Sequence, residues 1–494
     1  MINQLYDTSL SLLTDLYQLT MAYGYWKSGK AEQEAVFNLY FRKHPFQGGF
    51  TIACGLNSVI DYIREYRFNE EDLAYVGTMT GSDGKRLFDP AFLEYLRKLE
   101  LKCSIDATPE GTVVFPNQPL LRVQGPILQC QLLETPLLNL VNFQSLIATK
   151  AARMRQVAGD DTLLEFGLRR AQGPDGGVTA SRAAYIGGFD ATSNILAGKV
   201  YGIPVKGTHA HSWVMSFDTE QEAFDTYAAH LPNNVTLLVD TYDSLAGVQH
   251  AIETGKKLRE RGYELGGIRL DSGDLAYLSI EARKMLDAAG FQNTSIVASN
   301  DLDEHIMASL KNQGARIDVW GVGTKLVTAY DQPALGGVYK LAAIRNENAG
   351  WSYKLKLSEQ AIKVSTPGIQ QVRRFRDGKD FVSDMIFDIG TPLVGKSTMV
   401  DPYDFTRNRS FPETQHYEDL LVPVFADGEL IYSLPSIHDT RKRVQDQLAH
   451  FHKGIKRFVN PHTYPVGLEK SLFDLKTELI MKFRNQGPEV TPEP

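Results

Sequence analysis

The sequence predicts an α/β fold: a barrel in the middle of the chain, with a second domain assembled from both chain ends. Three observations carry this. Short apolar runs at residues 235–239, 267–270, 296–298 and 317–320 each end on polar or glycine residues: Asp240, Asp271, Ser299-Asn300-Asp301 and Gly321-Val322-Gly323-Thr324. Amphipathic helical patterns separate them. The one after Asp274 places Leu275, Leu278, Ala282, Met285, Leu286 and Ala289 on one face. Units of roughly thirty residues are what βα repeats require, and right-handed crossovers put the strand ends on one rim. Third, this rhythm is absent before about residue 130 and after Ile344, where β-like stretches broken by Pro and Gly take over. The expected domains are 1–130, 131–345 and 346–494, the first and last forming one flanking body.

In chain order, Leu12, Leu13, Leu16, Leu19 and Tyr23 recur at helical spacing, with Thr14-Asp15 placed to cap. Tyr17 lies off that stripe. Residues 35–42 alternate as a strand, and a helix is expected from Gly55. Residues 108–129, cut by Pro109, Pro116, Pro119, Gly125 and Pro126, read as a small β-rich layer. A long helix over 137–157 leads into a strand at 162–166. The apolar Ile203-Pro204-Val205 predicts a short strand, followed by a polar turn from Gly207 to Phe217 and a helix over 219–229. Residues 350–425 are basic and β-like, with turns at Pro367-Gly368 and Asp377-Gly378-Lys379-Asp380. Helices near 439–452 and 469–484 close the chain, and the tail 487–494 is expected to fray.

Bulk properties exclude several function classes. The chain has 494 residues, 43% of them hydrophobic and 22% charged, enough for two or three domains with substantial cores. A net charge of −7 argues against general affinity for nucleic acid or anionic membranes, so an anionic substrate needs a local basic pocket. Three scattered cysteines suit neither a disulfide scaffold nor a zinc site. The opening Met-Ile-Asn-Gln-Leu-Tyr-Asp has no signal-peptide pattern, and a cytoplasmic location is expected.

The predicted rim carries the candidate chemistry. Glu165-Phe166-Gly167-Leu168-Arg169-Arg170 offers an aromatic ring and guanidinium groups suited to a planar anion. The glycine-rich 172–177 stretch matches no nucleotide fingerprint and is assigned a mobile loop. His209 and His211 are two apart, so an extended segment would point them the same way. Arg269 and Asp271 share one side of their strand. Asp271 and Asp274 flank a turn where carboxylates could hold ribose hydroxyls or a magnesium ion carrying pyrophosphate, and Asp274 could equally be a helix N-cap. Gly321-Val-Gly-Thr-Lys325 has the glycines and hydroxyl of a phosphate nest. A ring slot, an Asp pair, a phosphate nest and a histidine fit a substrate with a ring, a ribose and more than one phosphate.

The stretches LLTDLYQLTMA, ETPLLNLVNFQSLIATKAARM, EFGLRRAQGPDGG, GGFDATSN, GTHAHSW, RLDSGDL, VWGVGTKL and KLSEQAIKVSTPG, spread in order over nearly the whole chain, resemble the nicotinate phosphoribosyltransferase family. The resemblance implies an irregular α/β barrel of the type II phosphoribosyltransferase kind plus an α/β sandwich, as a homodimer. It implies joining of nicotinate to 5-phosphoribosyl 1-pyrophosphate, with ATP and Mg2+, on the salvage route to NAD. His211 is implied as a transient phosphohistidine. Tyr17 would reach across the dimer to sandwich nicotinate against Phe166. Thr208 and Arg269 would contact nicotinate, with Arg169 nearby for carboxylate or phosphate. Asp271 would face the ribose, and Gly321, Gly323 and Thr324 the 5-phosphate. A nicotinamide-using relative is the nearest alternative, which the paired arginines disfavour. Quinolinate-using chains are much shorter. A metabolite-binding barrel without catalysis would lack His211, Asp271 or the glycine turn, and an aldolase-like barrel would want a strand-end lysine.

Overall fold

The computed structural model describes residues 8–346 and 350–485, so the expectation for the tail 487–494 lies outside the described residues. The chain forms two compact units, one of residues 1–146 and 334–494 and the other of residues 147–333. The division falls within the long helix Glu134–Ala158 and just before the strand Gly337–Asn346 rather than at 130 and 345. That strand pairs antiparallel with Glu34–Phe41, which ties it to the first unit.

The first unit holds two larger sheets. One is seven-stranded and antiparallel, in the order 350–353, 337–346, 34–41, 121–126, 104–107, 422–426, 429–430. Its core joins Phe37, Leu39 and Val123 to helix residues such as Val59, Phe92 and Leu128. The other has six strands in the order 408–411, 397–400, 466–469, 380–388, 370–377, 417–419, with one parallel pairing, between 380–388 and 466–469. The N-terminal helix is Leu16–Lys27; Asp15 stands at its N-cap without a side-chain cap bond, its carboxylate instead accepting from the Thr135 hydroxyl at 2.8 Å. The helix expected from Gly55 is Leu56–Arg64. Gly55 sits at φ +107°, and a Cβ there would lie 2.5 Å from the Leu140 carbonyl oxygen, so glycine is required twice over. The expected β-rich layer over 108–129 is shorter than predicted, because residues 127–132 turn helical.

The second unit is built on six parallel strands in the order 191–192, 162–165, 319–322, 295–300, 267–270, 236–238. Strand residues Leu163, Leu237, Ile268, Ile296 and Trp320 are fully buried, as strands covered on both faces must be. The α/β class is therefore observed. The edges, 191–192 and 236–238, are not joined to each other by a ladder among the described residues. Ile203-Pro204-Val205, expected as a strand, makes one isolated parallel bridge, Val205 to Thr192. Pro204 has no N–H to extend a ladder. The 172–177 stretch is not a loop: it opens the helix Gly173–Gly187, with Pro174 in the first turn, where its missing N–H costs nothing, and Asp175 beside it.

Candidate active site

Because all six strands run the same way, their carboxyl ends share one rim, and the second unit collects its polar side chains there. Arg269, in the strand Gly267–Leu270, is held by three hydrogen bonds. Its Nε donates to Ser299 Oγ at 2.7 Å, Nη1 to Thr208 Oγ1 at 3.0 Å and Nη2 to Asp271 Oδ1 at 2.8 Å. The shared strand face expected for Arg269 and Asp271 is thus observed. Asp271 Oδ1 also accepts from Ser299. Burial pushes the Asp271 carboxyl up, but the Ser299 hydrogen bond and the Arg269 charge outweigh it and hold it below the usual range.

The next strand end over supplies Asp240. Its Oδ2 accepts from Asp271 N at 2.8 Å and from Ser272 Oγ at 2.7 Å, which fixes the turn after Asp271. Its Oδ1 is buried and has no hydrogen-bond partner among the described residues. A buried carboxylate oxygen left bare is expensive unless a proton or cation arrives.

His211 faces this pair. It opens the short helix His211–Met215, its Nδ1 lies 3.1 Å from Thr241 Oγ1, and its Nε2 lies 3.7 Å from Asp271 Oδ2 and 4.0 Å from Asp240 Oδ1. Those last distances are too long for hydrogen bonds, yet short enough for charge on the ring to be felt by both carboxylates. The ring is 40% exposed, so a ligand can reach it. His209 does not point the same way, because the chain turns from extended to helical between the two. His209 is buried, its Nε2 accepts from Leu238 N at 3.2 Å, and its ring packs on Tyr227. Burial lowers its pKa, keeping the ring neutral and able to accept.

Phe166 follows the strand Thr162–Glu165, and its N–H donates to Val322 O at 2.7 Å. The Arg269 guanidinium carbon stands 5.6 Å from the Phe166 ring centroid. A Cβ on Gly321 would lie 2.8 Å from the same ring, and one on Gly323 would lie 3.2 Å from the Phe166 carbonyl oxygen. The glycines thus let the ring lie against the turn. Thr324 begins the four-residue helix Thr324–Val327, and Lys325 beside it is anchored to Asp303 at 2.7 Å. The ring slot, the Asp pair and the glycine turn lie at the ends of strands of one sheet, and His211, at the start of its short helix, faces the Asp pair. Arg169 is exposed in the turn Leu168–Arg170 and has no ion pair among the described residues. Tyr17 belongs to the other unit, where it is 47% exposed on its helix. Asp274 is the N-cap of the helix Leu275–Ala288, accepting from Tyr277 N at 3.0 Å.

Asp240 and Ser299 were legible as strand ends but carried no assigned role, and Thr241 was missed. The signal for all three was their place in the rhythm, since each sits at or just past the carboxyl end of a parallel strand. Glu165 was also unassigned: buried, it accepts from Gly167 N and from Ser181 Oγ at 2.8 Å, and so shapes the turn beyond Phe166.

The chain matches three family descriptions in order: the nicotinate phosphoribosyltransferase N-terminal domain over residues 12–142, the family itself over 162–353, and its C-terminal domain over 369–476. It is 44% identical to the nicotinate phosphoribosyltransferase of Bacillus subtilis over 492 residues, 99% of this chain and 98% of that protein. It is 38% identical to the human protein of the same name over 527 residues, 95% of this chain and 96% of that one. The crystal structure of human nicotinic acid phosphoribosyltransferase superposes with a TM-score of 0.83 at 35% identity, covering 94% of this chain and 99% of that chain. A nicotinate-nucleotide pyrophosphorylase from Pyrococcus furiosus shares the fold, with a TM-score of 0.67 at 20% identity over 90% of this chain and 96% of that one. The chain belongs to the nicotinate phosphoribosyltransferase family.

Proposed function

We propose that this chain is a nicotinate phosphoribosyltransferase, joining nicotinate to 5-phosphoribosyl 1-pyrophosphate to give nicotinate mononucleotide and pyrophosphate, coupled to ATP hydrolysis through His211. The observation that carries the reading is the meeting of the Phe166 ring, the triply held Arg269, the Asp240–Asp271 pair and His211 on one rim, in a chain of this family. The reacting pyridine nitrogen is a weak nucleophile, so positioning supplies much of the rate. Phe166 offers a stacking face, and Arg269 with Thr208 offers cation and hydroxyl for the carboxylate. Arg269 is pre-ordered by its three acceptors, so little side-chain entropy is lost when the acid binds. Asp271, kept ionised, is assigned to face the ribose, where it would stabilise the positive charge that develops there. The Gly321–Thr324 turn suits the 5-phosphate, and the exposed guanidinium of Arg169 is assigned to the carboxylate or a phosphate.

His211 is suited to phosphoryl transfer. A neutral ring with its proton on Nδ1 donates to Thr241 and leaves the Nε2 lone pair free. The bare Oδ1 of Asp240 and Oδ2 of Asp271 are hard oxygen donors close to that nitrogen, a set that fits Mg2+ completing its shell with phosphate oxygens and water. Such a cation, when bound, neutralises phosphoryl charge that the two carboxylates would otherwise repel.

Two further features complete this picture. On this reading residues 203–209 close the parallel sheet into an irregular barrel, supported by the Val205–Thr192 bridge at one edge and by the Leu238 N–H donated to His209 at the other. Two copies of the chain assemble with Tyr17 of one copy facing the nicotinate slot of the other, supported by its exposed ring. Among the described residues no helix is long and apolar enough to cross a membrane. The test of the His211 assignment is label transfer from γ-labelled ATP. Acid-labile, alkali-stable label on the wild type and none on His211→Asn is the expected result; equal label on both would overturn it.

A further inference from the structure

Within the first unit a cavity of about 500 Å³ opens beside the six-stranded sheet, lined by residues of the strands 34–41, 380–388, 397–400 and 466–469 and the helix Lys470–Asn485. This volume suits a small organic ligand, and none of its lining residues belongs to the rim described above. Its walls are largely apolar, with Ile386, Met399 and Leu468, and aromatic, with Phe115 and Tyr464 stacked at 4.2 Å between centroids.

The cavity's charges do not balance. Three cations, Lys476, Arg407 and Arg409, line it against one carboxylate, Asp401. Asp401 Oδ1 is committed to its own turn, accepting from the amides of Tyr403 at 2.8 Å and Asp404 at 3.3 Å. Arg407 pairs with Asp404 at 3.0 Å, and exposed Arg409 lies over the Phe411 ring at 5.2 Å. Lys476 is different. Its ammonium donates to the Thr366 hydroxyl at 3.0 Å and has no carboxylate partner among the described residues. His44, also in the lining, is kept neutral because burial drops it to about 3. A half-buried ammonium with one neutral partner in an apolar, aromatic cavity is costly unless an anion joins it. Burial alone lowers the Lys476 ammonium to about 8, and an anion beside it would restore the charged form.

We propose that this cavity is a second small-molecule site, taking a flat aromatic or heteroaromatic ring with a single anionic group, carboxylate or phosphate, with Lys476 as the counter-ion. The ring lies along the Phe115–Tyr464 wall while the anion meets Lys476 and Thr366. The class is set by the lining: one interior cation selects one anionic group, and the aromatic walls select a ring over an aliphatic body.

A matched pair of fluorescent probes tests this on the full chain: 8-anilinonaphthalene-1-sulfonate, and its neutral counterpart N-phenyl-1-naphthylamine. The wild type should bind the anion at least about tenfold tighter than the neutral probe, the size of one charge-assisted hydrogen bond. Lys476→Met should lose about tenfold for the anion and nothing for the neutral probe, while Lys476→Arg keeps the preference. Benzoate and phenyl phosphate then compete for the bound anion, and whichever displaces it better identifies the natural anionic group. Equal anion affinity in wild type and Lys476→Met, equal loss of both probes, or displacement by neither competitor would overturn the proposal.

Discussion

Replacing His209 by Leu separates the scaffold role of the first histidine from the chemistry of the second. His209 is 8% exposed and its Nε2 is the acceptor for the N–H of Leu238, which is itself 1% exposed. Leucine keeps most of the packing on Tyr227 and Phe224 but offers no acceptor. The orphaned N–H then costs about 1–3 kcal/mol of stability, more than the few tenths lost in contact area. His209 lies two residues before the helix His211–Met215, so loss of its tether to Leu238 should let His211 shift relative to Asp240 and Asp271. A displacement of about 1 Å at a reacting group can cost about a hundredfold in rate. His209→Gln restores an acceptor near the Nε2 position and should recover much of both losses. Denaturant unfolding and kcat for mononucleotide formation are the assays. If His209→Leu unfolds at the wild-type midpoint with unchanged kcat, the tether is not what positions His211.

The same group predicts a pH effect. Burial lowers the pKa of His209 in the folded state, so its contribution is complete above the unfolded value of about 6.5 and is lost as pH falls below it. Urea midpoints should therefore drop on acidification more steeply in the wild type than in His209→Gln. Arg269→Lys keeps the charge but cannot reach Ser299, Thr208 and Asp271 together, and kcat/KM for nicotinate should fall by about 10- to 100-fold with little change in unfolding midpoint. Gly321→Ala drives a methyl group into the Phe166 ring, and should raise KM for nicotinate several-fold more than KM for the phosphoribosyl donor. Asp384→Ala removes the buried partner of Arg374 and the acceptor of Tyr464 and Gln118, and should cost about 3–5 kcal/mol by denaturant titration without changing KM.

Much of the second unit was legible because its physics is local. Strands buried on both faces read as apolar runs, and the residue that ends each run lands on the rim, which is how Asp271 and Gly321–Thr324 were found. Arg269 was placed correctly because residues two apart on a strand share a face. What was not legible depended on neighbours distant in sequence. The reversal between His209 and His211 follows from Leu238 taking one ring and Thr241 receiving the other, contacts 29 and 30 residues away. The glycine-rich 172–177 stretch looked like a loop on composition, yet Pro174 and Asp175 are good first-turn residues and the helix behind them carries the stretch along. The short strands of the first unit pair across hundreds of residues, as Glu34–Phe41 does with Gly337–Asn346, and sequence alone gives no register for such partners.

The decisive assay is product formation from 5-phosphoribosyl 1-pyrophosphate with nicotinate or nicotinamide, each with and without ATP and Mg2+, resolved by chromatography. Nicotinate mononucleotide should form, raised in yield by ATP in the wild type but not in His211→Asn, with nicotinamide turned over much more slowly. Preferred turnover of nicotinamide, or an ATP effect that survives His211→Asn, would contradict it.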